Sequence, residues 1–280
     1  MAGFAYTVCD VFTDRPLAGN QLAVFREAAS IPEELLQPLA REMNFSETVF
    51  VLPPEQGGDA RIRIFTPGRE LPFAGHPVLG TAFVVGAATG GDSVRLECAI
   101  GVIPIELRRE AGKVTFGRMD QPIPTWESFT DADRLLAALG ARASGLPVEI
   151  YRNGPEHVYV ELASEADVAT LRPDFGALAA VTDAGVNCFA GSERRWKTRM
   201  FAPAFGVMED PATGSAAGPL AVHLARHGRI AFGEEIEISQ GAEIGRPSRL
   251  FARAEGTREA IERVRVAGSA VIVAEGVFQL

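Results

Sequence analysis

A phrase that the chain carries twice contains the residue types best suited to chemistry. The segment RIFTPGRELPFAGH, residues 63–76, is echoed by residues 199–215, which read RMFAP, five further residues, and then EDPATGS. The first copy ends in His76, and the second contains Asp210 and Ser215. An imidazole, a carboxylate and a hydroxyl can together bind a small polar molecule and move a proton on it. The place of His76 in the repeated phrase favours a functional role over a packed structural one.

Each copy also places a glycine at the start of an apolar stretch with helical character. These glycines are Gly75 and Gly214. A glycine at a helix start lets the backbone approach a ligand closely, and the unpaired N–H groups of the first turn favour an anion. The two helix starts therefore predict a grip on a carboxylate.

The repeat itself predicts two equivalent halves that meet at a shared cleft. Chance similarity is the alternative, but the patterns R-x-F-x-P and E-x-P-x-x-G occur in the same order in both halves, which favours duplication. The second copy has a loop three residues longer, and surface loops tolerate such a change.

The roles of the polar residues in the second copy stay open at this point. Asp210 precedes Pro211, which is also the pattern of a helix N-cap followed by proline at the first helical position. Ser215 can likewise be a cap or a ligand contact. A carboxylate at such a place can hold the loop and also present an oxygen to the cleft.

Glu47 is a further candidate, outside the repeat. It lies between Phe45 and Val49 in a segment whose neighbours favour burial. Desolvation disfavours a charged carboxylate, which moves its pKa toward the range useful for taking and returning a proton near neutral pH. The alternative is an outward-facing glutamate on an edge strand, and periodicity alone favours that alternative.

The remaining metal-binding and nucleophilic residue types form no recognisable motif. His223 and His227 have the i, i+4 spacing of a metal pair, but no H-E-x-x-H pattern or third ligand accompanies them, so we expect a solvated helix face. Cys9, Cys98 and Cys188 show no C-x-x-C spacing and are expected to be small buried residues. We expect no bound metal.

The elements that must position these groups alternate strands with a few helices. Strands are expected at residues 4–12, 22–25, 45–52 and 60–65, with helices beginning near residues 31 and 76. After the helix of each half comes a hairpin, at residues 94–107 and 236–252. Because each half has many strands and one apolar helix, we expect a sheet that wraps around the helix. Pro-rich residues 119–124 are the expected linker, and a strand near residues 270–280 could return to the first half.

Composition narrows the class of partner. With 47% hydrophobic residues in 280, the chain can bury a sizeable core. Its formal net charge of −9 opposes sequence-independent binding to nucleic acid or to an anionic membrane. The chain shows no apolar run long enough to span a bilayer and no secretory signal, so we expect a cytoplasmic protein. Phosphate-loop, dinucleotide and serine-hydrolase motifs are absent from the sequence, so cofactor-free proton chemistry is expected.

Several segments of the chain resemble the PhzF family of phenazine biosynthesis. They cover nearly the whole chain and are residues 18–20 (AGN), 44–48 (NFSET), 70–77 (ELPFAGHP), 119–126 (MDQPIPTW), 151–155 (YRNGP), 187–191 (NCFAG), 209–216 (EDPATGSA) and 245–248 (GRPS). One departure is Gln21, where many relatives have proline after Gly-Asn. It affects the expected local turn and not the chemistry.

The resemblance implies an α+β fold of the diaminopimelate epimerase type. Two pseudo-symmetric domains are expected, residues 1–118 and 119–267, each a strongly curved sheet around a central helix. Residues 268–280 could rejoin the first domain. The resemblance also implies an active site between the domains, a small-molecule carboxylate as substrate and a homodimer.

The resemblance further implies an isomerase. Its reaction would shift a proton of trans-2,3-dihydro-3-hydroxyanthranilic acid from C3 to C1, giving an enol that tautomerises to the reactive aminoketone from which phenazines form. By correspondence with the family, Glu47 would carry the proton, and His76 and Asp210 would orient the substrate and assist. Ser215 and the backbone at Gly75 and Gly214 would hold the substrate carboxylate.

Two other functions stay open at the level of sequence. One is a different isomerase or epimerase of the same fold, and the other is a non-catalytic small-molecule binding protein. Racemases of this fold use two cysteines, but the equivalent positions here hold Ala74 and Thr213. The residues therefore disfavour a two-thiol mechanism and favour one carboxylate that moves one proton.

Overall fold

The computed structural model describes residues 3–280, and the chain divides into two compact units. Unit 1 comprises the residues up to Asp120 together with Ala267–Leu280, and unit 2 comprises Gln121–Val266. The α+β class expected from the sequence is confirmed. Among residues 3–280, no helix combines the length and the apolar character needed to cross a bilayer.

Within the described residues, unit 1 contains a mixed sheet, two α-helices and a short 3-10 helix, Ala28–Ser30. Its elements in chain order are β1 (Gly3–Val11), β2 (Asn20–Phe25), α1 (Glu33–Met43), β3 (Glu47–Leu52), β4 (Ala60–Phe65), β5 (Glu70–Leu71), α2 (Gly75–Thr89), β6 (Ser93–Cys98), β7 (Gly101–Glu110) and β8 (Lys113–Gln121). The strand pairs β1–β2, β3–β4, β6–β7 and β7–β8 are antiparallel, whereas β2–β3 and β4–β6 are parallel. The final strand of the chain, Ala270–Gln279, pairs antiparallel with β1.

Helix α2 is the centre of unit 1. It is apolar nearly all round, which is the composition of a helix covered on all sides. Strands β1, β2, β3, β6 and β7 all contact it. Gly80 and Gly86 allow this close approach, because an added Cβ would lie 2.6 Å from a Val11 methyl group and 2.4 Å from a Leu107 methyl group, respectively. The expected sheet wrapped around a helix is therefore present.

Unit 2 repeats this plan, and beside its central helix it has three short α-helices where the described part of unit 1 has one. Its elements are β9 (Thr125–Ser128), α3 (Ala132–Leu139), β10 (Glu149–Arg152), β11 (Glu156–Glu161), α4 (Glu165–Thr170), α5 (Phe175–Val181), β12 (Gly185–Ser192), β13 (Arg195–Ala202), β14 (Val207–Asp210), α6 (Gly214–Arg226), β15 (Glu235–Gln240), β16 (Ser248–Gly256) and β17 (Ile261–Gly268). The strand that follows, Ala270–Gln279, is β18.

The two units share their connectivity. In unit 2, β10–β11, β12–β13 and β15–β16 are antiparallel, and β11–β12 and β13–β15 are parallel. This is the order of strand directions found in unit 1 from β1 to β7. Helix α6 occupies the place of α2, and almost every one of its residues is buried. The internal repeat seen in the sequence is therefore a repeat of topology.

The repeated phrase forms the same contacts in each unit. Arg63 donates two hydrogen bonds to the carboxylate of Glu70, both of 2.7 Å, and its guanidinium lies 5.2 Å from the ring centre of Phe65. Arg199 does the same with Glu209, at 2.9 and 2.7 Å, and lies 5.0 Å from the ring centre of Phe201. We call each pair an Arg–Glu clamp. It ties the strand before the loop to the segment that leads into the central helix.

Candidate active site

Glu47 and His76 lie together in unit 1. The Oε2 atom of Glu47 is 3.4 Å from Nε2 of His76, and the exposed fractions of the two side chains are 16% and 4%. A carboxylate and an imidazole at this distance, largely shielded from water, form a pair suited to proton transfer. The sequence placed one of them inside the repeat and the other outside it.

The strand order explains why Glu47 reaches this position. It is the first residue of β3, which lies between β2 and β4, and Glu47 pairs with Leu22 of β2. Because β2 and β3 are parallel, Asn20 and Glu47 both stand at the end where their strands begin. Glu47 is thus on an internal strand, and the alternative of an outward-facing residue on an edge strand is wrong.

Asn20 fixes the orientation of the His76 ring. The amide nitrogen Nδ2 of Asn20 is 3.2 Å from Nδ1 of His76, and both side chains are buried. The amide nitrogen can only donate, so Nδ1 accepts in this hydrogen bond, which places the ring proton on Nε2. The 3.4 Å contact of Nε2 with Oε2 of Glu47 does not have hydrogen-bond geometry. Burial lowers the pKa of His76 to about 3, so the ring is neutral at physiological pH.

The start of α2 offers backbone donors next to this pair. Its N-cap residue is Ala74, whose side chain makes no capping hydrogen bond. The N–H groups of Gly75 and His76 belong to the first turn, where no intrahelical acceptor exists, and Pro77 has no N–H. This arrangement suits a negatively charged ligand.

In unit 2, Asp210 is buried at the end of β14 and holds the loop before α6. Thr213 donates a 2.6 Å hydrogen bond from Oγ1 to Oδ2 of Asp210. Gln240 donates from Nε2 to the Asp210 carbonyl at 2.8 Å and to Thr213 Oγ1 at 2.9 Å. The backbone N–H of Thr213 donates to Oε1 of Gln240 at 3.1 Å. Asp210 therefore stabilises the loop, and this structural role coexists with any role toward a ligand.

Polar side chains hold the first turn of α6. Gln121 donates to the carbonyl of Gly214 at 2.9 Å, and Asn153 donates to the carbonyl of Ser215 at 3.0 Å. The carbonyl of Ser215 lacks its usual helical donor because Pro219, four residues later, has no N–H. Thr213, the N-cap of α6, makes no side-chain cap, like Ala74 at the start of α2.

His157 is a site neighbour that the sequence reasoning missed. Its Nε2 atom is 3.1 Å from Oγ of Ser215, and the ring is buried. Burial lowers the pKa of His157 to about 4. Asn153 lies in a segment quoted for the family resemblance, and His157 follows it closely, but only the fold shows that they contact the first turn of α6.

The six predicted site residues thus fall into two groups. Glu47, His76 and Gly75 lie in unit 1, with Glu47 against His76. Asp210, Gly214 and Ser215 lie in unit 2, where the short loop from β14 to α6 joins them.

Thiols are absent from the positions that a two-cysteine mechanism needs. Ala74 and Thr213 are the N-cap residues of α2 and α6 and so occupy equivalent places. Cys9, Cys98 and Cys188 are buried, as expected, and burial raises the pKa of Cys9 to about 12. A thiol with a pKa this high stays protonated at neutral pH and so cannot accept a proton from a substrate.

The expectation of a solvated helix face at His223 and His227 is wrong. Both rings approach Oε2 of Glu149, with His223 Nδ1 and His227 Nε2 each at 3.2 Å. These three residues bring their ligand atoms close enough for a metal ion. However, Arg226 donates to the same oxygen at 2.7 Å, as does the Tyr151 hydroxyl at 2.8 Å.

The guanidinium already supplies the positive charge that a metal would bring. Burial raises the pKa of Glu149, but hydrogen bonds from His223, Arg226, Tyr151 and His227 outweigh it and hold that pKa well below the usual range. This donor set fits an anionic carboxylate in a structural network, and it does not fit a metal ion beside Arg226.

Comparisons with known proteins agree with the fold. The chain is 56% identical over 271 residues to the trans-2,3-dihydro-3-hydroxyanthranilate isomerase of Pseudomonas aeruginosa, covering 97% of this chain and 98% of the relative. The crystal structure of a PhzF-family phenazine biosynthesis protein from Bacillus anthracis matches with a TM-score of 0.88 and 26% identity over 100% of both chains.

A more distant structure supports the fold alone. A probable proline racemase from Agrobacterium radiobacter matches with a TM-score of 0.75 at 12% identity, covering 99% of this chain and 93% of the racemase. Close relatives named as isomerases place this chain among enzymes of that class. The family model described as phenazine biosynthesis-like protein matches residues 9–276, so the chain belongs to the PhzC-PhzF family.

Proposed function

We propose that this enzyme isomerises trans-2,3-dihydro-3-hydroxyanthranilate by moving a proton from C3 to C1, without a cofactor. The observation that supports the mechanism most directly is the shielded contact between Glu47 and His76. The name of the relative at 56% identity supports the proposed substrate.

Glu47 carries the proton in this proposal. Its carboxylate removes the proton from C3, and the electrons of that C–H bond become part of the conjugated system. The protonated Glu47 then returns the proton at C1, so the sum of atoms and charges is unchanged. The product is an enol, which tautomerises to an aminoketone.

His76 assists by orienting Glu47. With Asn20 on Nδ1, the ring keeps its proton on Nε2, which lies 3.4 Å from the carboxylate oxygen but outside hydrogen-bond geometry, so this proposal includes a small reorientation of the ring toward Glu47. A neutral imidazole is suited to this task because it donates a hydrogen bond without transferring its proton to the base.

The substrate carboxylate is proposed to bind at the helix starts. In unit 2 the first-turn N–H at Gly214 and the hydroxyl of Ser215 supply donors, and in unit 1 the first turn of α2 at Gly75 offers donors of the same kind. Neither helix has a side-chain cap that competes for them. Asp210 is proposed to orient the amino or hydroxyl substituent of the substrate, since a carboxylate accepts from both.

The test is turnover by the purified protein and by Glu47→Gln. Mixing the protein with trans-2,3-dihydro-3-hydroxyanthranilate should change the ultraviolet spectrum, and Glu47→Gln should reduce kcat by roughly 10²- to 10⁴-fold while ligand binding persists. Glu42→Gln, at an exposed position of α1, is the matched control and should retain wild-type kcat. Wild-type turnover by Glu47→Gln would refute the assignment of the base.

The wild-type assay separates the substrate from the mechanism. If wild-type protein leaves the spectrum unchanged, the proposed substrate is wrong, and another isomerase reaction on the same fold becomes the better reading. Reaction in deuterated water adds a second measurement. Incomplete labelling at C1 is expected if Glu47 carries the same proton across, whereas complete labelling would show a base that exchanges its proton with solvent.

A further inference from the structure

His157 is a buried polar residue to which the proposed reaction assigns no role. It is the second residue of β11, and its Nε2 atom lies 3.1 Å from Oγ of Ser215. Its other ring nitrogen, Nδ1, has no hydrogen-bond partner among residues 3–280. Within the described part of the chain, the ring's one side-chain hydrogen bond is therefore the one with Ser215.

The surroundings are shaped to hold an imidazole at this place. His157 pairs with Gly185 in the parallel ladder of β11 and β12. A Cβ on Gly185 would lie 2.8 Å from Nδ1 of His157 and 3.1 Å from Sδ of Met200. The backbone of Gly185 is outside the left-handed region, so its conformation does not require glycine. The missing side chain instead leaves room for the ring.

Ser215 is held at two points, by its main chain and by its side chain. Asn153 donates to its carbonyl, which Pro219 has left without a helical donor, and His157 contacts its hydroxyl. The hydroxyl has one proton to donate, and an anionic ligand can only accept. If His157 donates from Nε2 to the hydroxyl oxygen, the hydroxyl proton stays available for the ligand.

A nucleophilic serine is the alternative reading of a Ser–His contact. Such a serine needs a third group, a carboxylate or an amide, that orients the histidine through its second nitrogen. Nδ1 of His157 has no such hydrogen-bond partner in the part of the chain that the structure describes. The geometry therefore does not support covalent catalysis at Ser215.

We propose that His157 is a positioning residue that donates a hydrogen bond to Ser215 and so directs the Ser215 hydroxyl proton at the substrate carboxylate. This inference rests on the proposed function, since it names the group that prepares one of the carboxylate donors. Its effect falls on binding, because the carboxylate is held in the ground state and in the transition state alike.

The test is a double-mutant cycle between positions 157 and 215. Four variants are compared with the wild type: His157→Met, His157→Gln, Ser215→Ala and the double variant His157→Met with Ser215→Ala. Methionine fills a similar space without a donor, whereas the amide of glutamine can place a donor near the position of Nε2. Two quantities are measured, KM with the proposed substrate and Kd for 3-hydroxyanthranilate, the aromatic counterpart that has no C3 proton to lose.

Loss of a hydrogen bond that serves a charged ligand should raise KM and Kd about tenfold or more in His157→Met, with kcat within about twofold. His157→Gln should recover most of this loss. In the Ser215→Ala background the His157→Met change should add nothing, because its effect passes through the serine hydroxyl. Circular dichroism and the unfolding midpoint show whether each variant is folded.

Three results would overturn the inference: unchanged Kd in His157→Met, equal losses in folded His157→Gln and His157→Met, or full additivity with Ser215→Ala. The measurement of Kd for 3-hydroxyanthranilate also separates this inference from the proposed function. If wild-type protein binds 3-hydroxyanthranilate but does not turn over the substrate, the proposed function fails, and the cycle on Kd still decides the role of His157.

Discussion

Arg199 and Glu209 form a clamp that is nearly inaccessible to solvent, with 7% of each side chain exposed. The equivalent clamp of unit 1, Arg63 with Glu70, has exposed fractions of 23% and 42%. One repeated phrase has therefore produced the same bidentate geometry in two very different dielectric environments. Arg199 also donates to the carbonyl of Leu171 at 2.9 Å, just after α4.

The difference in burial predicts unequal costs for the same substitution. Glu209→Gln leaves the buried guanidinium without its counter-charge and should lower the free energy of unfolding by about 3 kcal/mol or more. Glu70→Gln should cost about 1 kcal/mol or less, because Arg63 is closer to solvent and keeps Glu33 as a second partner. Urea unfolding of both variants measures the two values, and equal losses would contradict the argument.

Acidification should destabilise the protein through its buried neutral histidines. The pKa values of His76 and His157 are about 3 and 4 in the folded protein. Both lie below the unfolded value of about 6.5, so the unfolded chain binds more protons in acid. Their stabilising contribution is present above pH ~6.5 and is lost as the pH falls toward the folded pKa values.

The variant His157→Gln removes one of these two imidazoles, and the pH dependence of its free energy of unfolding tests the prediction. Between pH 7 and pH 5, its free energy of unfolding should fall by about 1 to 2 kcal/mol less than that of the wild type. His76→Gln should behave in the same way. A loss identical to the wild type in both variants would show that these rings are not neutral and buried in solution.

Gly185→Ala should reproduce the binding defect of His157→Met without changing residue 157. The added Cβ would meet Nδ1 at 2.8 Å, so the imidazole has to move away from its place beside Ser215. Kd for 3-hydroxyanthranilate should rise, and the unfolding midpoint should fall. Gly176→Ala is the matched control, because its Cβ would meet only Asp174, at 3.4 Å, and alanine favours the helix there.

Divalent metals should leave stability and activity unchanged. The potential ligands Glu149, His223 and His227 surround an oxygen that already accepts from Arg226, whose charge repels a cation. Addition of Zn²⁺ or of a chelator should therefore shift neither the unfolding midpoint nor kcat. A zinc-dependent rise in the midpoint that disappears in His227→Gln would show that the network opens to admit a metal.

Local patterns in the sequence predicted those parts of the fold that depend on neighbouring residues. The repeated phrase identified the strand, loop and helix start in each half, and the apolar stretch after Gly75 indicated a buried helix. The local sequence was enough to predict these parts because the residues of each phrase contact one another. Arg63 contacts Phe65, and Arg199 contacts Phe201, within one unit and between adjacent segments.

Local patterns could not predict contacts between segments that are far apart in the sequence. The i, i+4 spacing of His223 and His227 states that the rings share a helix face, but Glu149, which faces them, comes from strand β10. In the same way, periodicity favoured an edge strand for Glu47, because strand order is a property of the fold and not of the local sequence. His157 was missed for this reason too, since its partner Ser215 belongs to α6.

The helix N-cap positions differ in how firmly their side chains are engaged, and this has a consequence for protein engineering. Ala74 has no polar group and makes no side-chain cap, whereas the hydroxyl of Thr213 is bonded to Asp210 and Gln240. Installing a thiol at position 74 breaks no hydrogen bond, but at position 213 it removes the hydroxyl from a buried network. A redesign toward two-thiol racemisation therefore meets its main obstacle in one half of the molecule, and compensating changes at Gln240 are the place to begin.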